Sequence, residues 1–470
     1  MSSRLRVAWF SPIAEESLLR SPQFSRAAIP CLPSSWEIEI FTSDSDWMSL
    51  ATELWLPSVC GCSVFPYQRA FLRHESDPFD VFIYHLEDHP AASFVKAGMG
   101  VWPGIVFVHD LNLSRLEKSF IAHATTEELL NERTQEEFGE KIISVGDLAA
   151  RGWSTEIFER LYPLGLSELR NAGVMISPNE RSVDELKQRF PETPISRAEF
   201  PLRLLTTDEK EMHRGEARKA LGLDARDFVI MCGAQNSVED RAYVTLDSIG
   251  QLLKGSETSH VKVVWFVLDS LAEQTIQRVI GGYSDEILRE RIQVIRIADF
   301  HSLQLLTCAA DCVISLKFDL LRGFSPFVYV AQAASVPLIM SDFGPSSELG
   351  TSLLVRVGRG EAQELARILW CLLSDPSFAQ EVSRRMRNVA EVVNSPKSVA
   401  EDIQAIVEKH INYLRSQCQN SESNIQVAKA STLSKFEREL SEQKLVLPGN
   451  KEIDPLQISS KLISDFGWGL

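Results

Sequence analysis

No stretch of this sequence reaches the roughly 18 consecutive apolar residues needed to span a bilayer. Met1 to Pro12 carry no long apolar segment of the secretory type. The expected location is therefore cytoplasmic, at most peripheral to the inner membrane face. Positive charge is scarce: 48 Lys and Arg stand against 64 Asp and Glu, a formal net charge of -16. That balance argues against a nucleic-acid binder, which needs clustered cations for phosphates. It leaves room for a local basic pocket around one diphosphate. Paired CxxC units are missing. The eight cysteines (Cys31, Cys60, Cys62, Cys232, Cys308, Cys312, Cys371 and Cys418) are scattered. Cys60-Gly61-Cys62 is one residue too tight for a zinc knuckle, and no His cluster accompanies it. Most of the others lie in apolar runs, where cysteine behaves as a small hydrophobe, as expected in a reducing compartment. GxSxG, P-loop and HExxH motifs are absent too.

What is present suits a globular enzyme-sized chain. Its 470 residues are too many for one ordinary domain and comfortable for two. With 44% hydrophobic and 24% charged residues there is material for two packed cores. Short apolar runs bounded by turn residues occur at 5–10, 36–41, 81–84 and 104–108, the last ending in His109-Asp110. Helical patterns separate several of them, and residues 115–170 are mainly helical in pattern. A further buried strand at 172–178 precedes a helix at 180–190. Residues 192–210 contain Pro and Thr and are weakly patterned, which places an interdomain linker there. A second series follows: strands at 228–233, 261–267, 292–295, 312–316 and 336–341, with helices at 217–223, 242–253, 302–310 and 328–334. Helices at 361–375, 377–393 and 398–414 follow, then a mostly polar tail. Strand and helix alternating at this spacing predict α/β architecture: two doubly wound, Rossmann-like domains facing across a cleft. The expected division is 1–200, 201–395, a C-terminal helix at 396–415, and a tail at 416–470 that either docks on a partner through Trp468 and Leu470 or packs back on the chain.

The second half resembles family 4 glycosyltransferases. "ERIQVIRIADFHSLQLLTCAADCVISLKFD" is similar to their run of strand, short loop with Asp, helix, "AAD" and strand. "SVPLIMSDFGPSSELGTSLLVRV" looks like their passage G-x-P-V-I-x-S-D-x-G … E-L. In the first half, "PGIVFVHDLNL" resembles a strand end of the same enzymes, and "FPLRLL" stands where they cross to the second domain. The similarity covers roughly residues 5–410. It implies the GT-B fold, a nucleotide-sugar donor held mainly by the second domain, an acceptor on the first, and retaining hexosyl transfer with no cofactor and no essential metal.

The resemblance also points to site residues. His109 and Asp110 end a parallel strand, where ligands bind in such sheets, and a His near this place contacts the donor sugar in the family. The alternative is a structural His bonded to a neighbouring loop. Arg241 fits the family's cation for the leaving diphosphate, which needs positive charge or helix N-termini. The accompanying Lys is replaced by Asp240. Alternatively, Arg241 merely starts an exposed helix. The family's paired Glu, seven residues apart, fall on Arg322 and Val330. Lys317, Arg322, Gly323 and Ser325, in and just before that passage, are the candidate donor contacts. Pro326 removes one N–H near the helix start, and Ser325 is placed to cap it. Asp299, Asp342 and Glu348 sit in loops at strand ends, which in the family contact the donor's base or ribose largely through backbone; Asp299 and Glu348 are therefore donor-binding candidates, with holding a loop the alternative for Glu348. No Gly occurs from Ser11 to Ser25, where the family has a glycine-rich loop, and Glu87-Asp88 stand where Gly-Asn is common.

Three readings follow. One is an active transferase using a nucleotide sugar and an unidentified glycan, lipid or protein acceptor. Another is a catalytically degenerate relative serving as a partner or scaffold for a second protein subunit. A remoter one is another GT-B enzyme, such as a sugar-nucleotide epimerase.

Overall fold

The computed structural model describes residues 4–43, 58–120, 126–139, 161–233, 241–255, 258–317, 321 and 323–416, with single residues at 144, 147, 150 and 151. The tail from 417 onward lies outside them.

The first sheet has eight strands: β1 (Leu5–Phe10), β2 (Trp36–Thr42), β3 (Ser58–Val59), β4 (Cys62–Pro66), β5 (Val81–Leu86), β6 (Ile105–Val108), β7 (Val174–Ser177) and β8 (Ile195–Arg197). Their order across the sheet is β3-β4-β2-β1-β5-β6-β7-β8. All neighbours are parallel except the β3–β4 hairpin. The second sheet has β9 (Phe228–Gly233), β10 (Val261–Val267), β11 (Ile292–Arg296), β12 (Cys312–Ser315), β13 (Leu338–Ser341) and β14 (Leu353–Val355). They lie in the order β11-β10-β9-β12-β13-β14, all parallel. The α/β fold with two Rossmann-like domains is thus the one the sequence predicts.

Why these runs make central strands is plain from their burial. Every residue of β1, β5, β6, β7 and β13 is buried. A parallel sheet covered by helices on both faces needs such continuous apolar runs rather than alternation. Each sheet accordingly carries two cores, one per face.

Several short elements depart from the expectation. The hairpin β3–β4 and the strand β14 have no counterpart in it, and β8 falls inside the expected linker. They are two to five residues long, too short for periodicity to register. The helix that the sequence closes at 217–223 spans Thr207–Ala220, ending a little earlier than expected. A capping box opens it: the Thr206 side chain accepts from Glu209 N–H while Glu209 accepts from Thr206 N–H. The helix expected at 302–310 spans Phe300–Thr307.

The chain crosses between domains twice, and the crossings are tied together. Leu202 N–H donates to Asn394 O at 2.7 Å, and Asn394 Nδ2 donates to Phe200 O at 3.0 Å. After the second crossing the helix at 396–416 returns to the first sheet. Its Val399, Ala400, Ile403, Val407 and Leu414 pack into the core containing Trp9, Phe24 and Ile83. Arg415 pairs with Asp80 at 2.8 Å, just before β5. Ile403→Ala is expected to destabilise the first domain by about 2–5 kcal/mol, the cost of emptying a fully buried aliphatic site. Urea denaturation reads this as a lowered midpoint. A change under about 0.5 kcal/mol would mean the helix is not part of that core.

Candidate functional site

Parallel pairing of β1, β5 and β6 brings their carboxyl ends side by side. Glu87 follows β5 and His109-Asp110 follows β6, so these polar residues gather at one end of the sheet, with Glu87 and Asp110 lining the cleft. Arg20, the first residue of the helix Arg20–Ala28 that follows β1, enters among them. Its Nε donates to Glu87 Oε1 at 2.9 Å, its Nη1 to His109 O at 3.1 Å, and its Nη2 to Asp110 Oδ2. Glu87 also accepts from the N–H groups of Arg20 and Ser21, both at 3.1 Å, and from Ser21 Oγ at 3.0 Å. All three charged side chains are buried.

The energetics follow from that burial. Removal from water alone would lower the Arg20 pKa and raise those of the acids; the ion pairs outweigh it. Arg20 is held above its ordinary value by Asp110 and Glu87 despite burial. Glu87 and Asp110 are held below theirs, chiefly by Arg20.

The second domain joins this cluster through its backbone. Gly323 N–H donates to Asp110 Oδ1 at 3.0 Å, and Leu111 N–H donates to Leu321 O at 2.6 Å. A Cβ at position 323 would meet the Arg20 guanidinium and lie 2.5 Å from His109 O. The close approach of the two domains therefore requires glycine there.

His109 is buried behind the cluster rather than lining the cleft. Its Nε2 lies 3.1 Å from His85 Nδ1, and its ring packs against Phe24, 5.9 Å between centroids. Burial, with Arg20 acting in the same direction, holds its pKa down at about 4; Glu87 and Asp110 oppose this more weakly. His85 is fully buried and also pushed well below 6.5, by burial first and His109 second.

A cavity of about 460 Å³ lies in front of the cluster, between the carboxyl ends of both sheets. Arg20, Glu87, Asp110, Lys317, Gly323 and Ser325 are among its walls. Lys317 N–H donates to Ser341 Oγ at 3.0 Å, which fixes the backbone there. Ser325 caps the helix Pro326–Ala333, its Oγ accepting from Phe327 N–H at 3.3 Å. Val328 N–H donates to Ser325 O at 2.9 Å. Of the first three helical residues, Pro326 thus has no N–H and the other two are engaged by Ser325.

The remaining sequence candidates sit apart from this cavity. Arg241 precedes the helix Ala242–Leu253 in a left-handed conformation, φ 50°. Its guanidinium forks onto the buried Glu361, with Nε to Oε1 at 2.7 Å and Nη2 to Oε2. Asp299 caps the helix Phe300–Thr307 by accepting from Ser302 N–H at 2.7 Å. Glu348 reaches the other domain, where its carboxylate accepts from Glu180 N–H at 2.8 Å and Arg181 N–H at 2.9 Å at a helix start. Arg322 and Asp240 lie outside the described residues. No group of three His, Cys, Asp or Glu placed to hold a metal occurs among the described residues. Nor is any described helix long and apolar enough to cross a membrane.

Sequence reasoning singled out His109, Asp110, Lys317, Gly323 and Ser325, took Glu87 and Asp88 only as a departure from Gly-Asn, and missed Arg20 and His85. Two acids at adjacent strand ends demand a cation, and Arg20 is the basic residue entering the helix after the neighbouring strand.

No family model and no curated protein matches the sequence. Solved structures do match in fold. A sucrose-phosphate synthase from Thermosynechococcus elongatus superposes with a TM-score of 0.56 at 14% identity, covering 87% of this chain and 100% of that one. HepE from Anabaena, solved with UDP and glucose, gives 0.55 at 12%, covering 86% and 100%. A glycosyltransferase from Rickettsia africae gives 0.56 at 11%, covering 86% and 98%. At such identities the likeness establishes the architecture, and the chain has the GT-B fold of these glycosyltransferases.

Arg20→Met is expected to cost about 3–5 kcal/mol, because it leaves two buried carboxylates uncompensated. Glu87→Gln on top of it should recover part of the loss. A single-variant cost under about 1 kcal/mol by thermal denaturation would show that Arg20 does not hold the cluster. His109 and His85 fold with depressed pKa values, so their contribution is complete above pH 6.5. It is lost as pH falls toward 4. A His85→Phe variant should flatten the decline in Tm between pH 6.5 and 4; an unaltered decline would remove the pair as its source.

Proposed function

We propose that this chain is a nucleotide-sugar-dependent glycosyltransferase that transfers a hexose, with retention, to an acceptor held on the first domain. The observation that carries this reading is the 460 Å³ cavity between the carboxyl ends of the two sheets. A doubly wound pair of domains binds ligands in such a place. Lys317 lines it and supplies positive charge for a diphosphate, with Ser325 beside it. No metal or cofactor enters the proposal. The protein would act in the cytoplasm, at most against the inner membrane face.

One observation favours a second reading, a degenerate homologue serving as a partner subunit. The Arg20 cluster uses the cleft's buried cation internally and leaves Glu87, Asp88 and Asp110 facing the cavity. His109, the candidate sugar contact, is turned toward His85.

Thermal denaturation with UDP, GDP, ADP and dTDP, paired with donor-hydrolysis assays, separates the two. Saturating diphosphate is expected to raise Tm by on the order of 5–10 °C for one of the four, with sugar release from its hexose donor. Lys317→Ala should diminish both. Absence of a shift with all four would overturn the transferase reading. A shift with no turnover of any donor would favour the partner subunit.

A further inference from the structure

The first-domain wall of the front cavity carries two groups that the Arg20 cluster does not use. Arg115 and His89 both line it. Arg115 is the second residue of the helix Ser114–Phe120, and its backbone is pinned. Asp88 Oδ1 accepts from Arg115 N–H at 2.7 Å and from Leu116 N–H at 3.0 Å, and Leu116 is fully buried. The guanidinium is exposed and enters no ion pair or hydrogen bond among the described residues. The carboxylates on this wall are engaged elsewhere: Glu87 and Asp110 with Arg20, Asp88 Oδ1 with the helix start.

His89 presents a donor close by. Its Nδ1 accepts from Ala91 N–H at 3.1 Å. The neutral ring therefore carries its proton on Nε2. Burial holds the imidazole below its usual 6.5, opposed by Glu87 and aided by the neighbouring Arg115 charge. The ring is neutral at pH 7, with its tautomer set by the bond to Ala91. Its Nε2–H also lacks an acceptor among the described residues. A guanidinium offers two parallel N–H groups to a phosphate, and the imidazole adds a third. A phosphate monoester has three terminal oxygens to receive them.

We propose that Arg115 and His89 form a phosphate-monoester site, and that the acceptor held there is a soluble sugar or polyol phosphate. The word acceptor rests on the transferase reading; the anion site itself does not. Lys317 then serves the donor from the second domain. A place inside a cavity between two domains suits a soluble ester better than a headgroup held at a bilayer surface.

The test is calorimetric titration of the full chain with inorganic phosphate and glucose 6-phosphate, against glucose, at fixed ionic strength. Both phosphates are expected to bind saturably at one site, and glucose more weakly than its phosphate. Arg115→Met should weaken glucose 6-phosphate about 10- to 100-fold. Arg115→Lys, which keeps the charge but not the fork, should recover only part of that loss. His89→Asn, whose Oδ1 can still accept from Ala91 N–H, should weaken it about 2- to 10-fold. Saturable binding of neither phosphate overturns the proposal, as does unaltered affinity in Arg115→Met. So does a larger loss for the stabilising nucleoside diphosphate than for glucose 6-phosphate in that variant, since Arg115 then serves the donor. Retention on equimolar phosphatidylcholine–phosphatidate vesicles without glucose 6-phosphate binding overturns the soluble ester. Nucleotide stabilisation without phosphate binding removes this site and leaves the transferase reading standing. Phosphate binding lost in Arg115→Met, with no nucleotide stabilisation, removes the transferase reading and leaves the site.

Discussion

The guanidinium of Arg20 is the point through which the two domains and the front cavity are organised. It satisfies Glu87 and Asp110 at once, and Asp110 then has one oxygen left to accept from Gly323 in the other domain. None of these groups would be tolerable alone. A buried carboxylate without its cation is strongly unfavourable, as is the cation without its carboxylates. The cluster therefore exists complete or not at all, and its completeness draws the second domain's loop to within hydrogen-bonding distance. Glycine at 323 is the steric condition for that approach.

Around this point the domains brace each other by backbone groups rather than by apolar contact alone. Glu348 of the second domain finishes the first turn of the helix Glu180–Arg189, which Asn179 caps from its own side. Phe300 N–H, at the head of the helix that Asp299 caps, donates to Glu16 O at 2.9 Å. Each of these would otherwise be an orphan donor at a helix start. Supplying the acceptor from the opposite domain makes helix integrity and domain closure mutually dependent. The sequence candidates Asp299 and Glu348 thus sit at strand ends for a structural reason that fits their residue type.

The architecture was legible where the runs were long and uniformly apolar, because a parallel sheet buried on both faces leaves no polar alternation to confuse the pattern. Strands such as Cys312–Ser315 and Leu338–Ser341 fall where expected. The edge elements escaped for the opposite reason: Ile195–Arg197 is short, partly exposed and set among turn residues. The polar positions at the β6 end, His109 and Asp110, were legible as well, since topology of this class fixes where ligands gather; Glu87 at the β5 end stood out only as a departure from Gly-Asn. The cation they share was not legible. Arg20 lies 67 residues from Glu87 and 90 from Asp110 in the chain, and only the order β2-β1-β5-β6 makes the three neighbours. His85 escaped because a histidine inside an apolar strand looks like core; it is core, stacked flat on Phe107 at 4.6 Å between centroids, while also binding His109.

Charge in the front cavity sets the terms on which any diphosphate enters. Arg20 does not attract it, because Glu87 and Asp110 already neutralise that guanidinium from within the first domain. The carboxylates of Glu87, Asp88 and Asp110 on that wall repel an anion at short range, where little water intervenes to screen them. Arg115 on the first domain and Lys317 on the second are the other basic residues lining the cavity, with Asp269 also on its wall, while Ser325 and Pro326 leave the first turn of the neighbouring helix with little to offer. His109 is not among the residues lining this cavity; its ring lies against His85 and Phe24 behind the cluster. The bond from Gly323 N–H to Asp110 Oδ1 ties the cluster in front of it to the second domain.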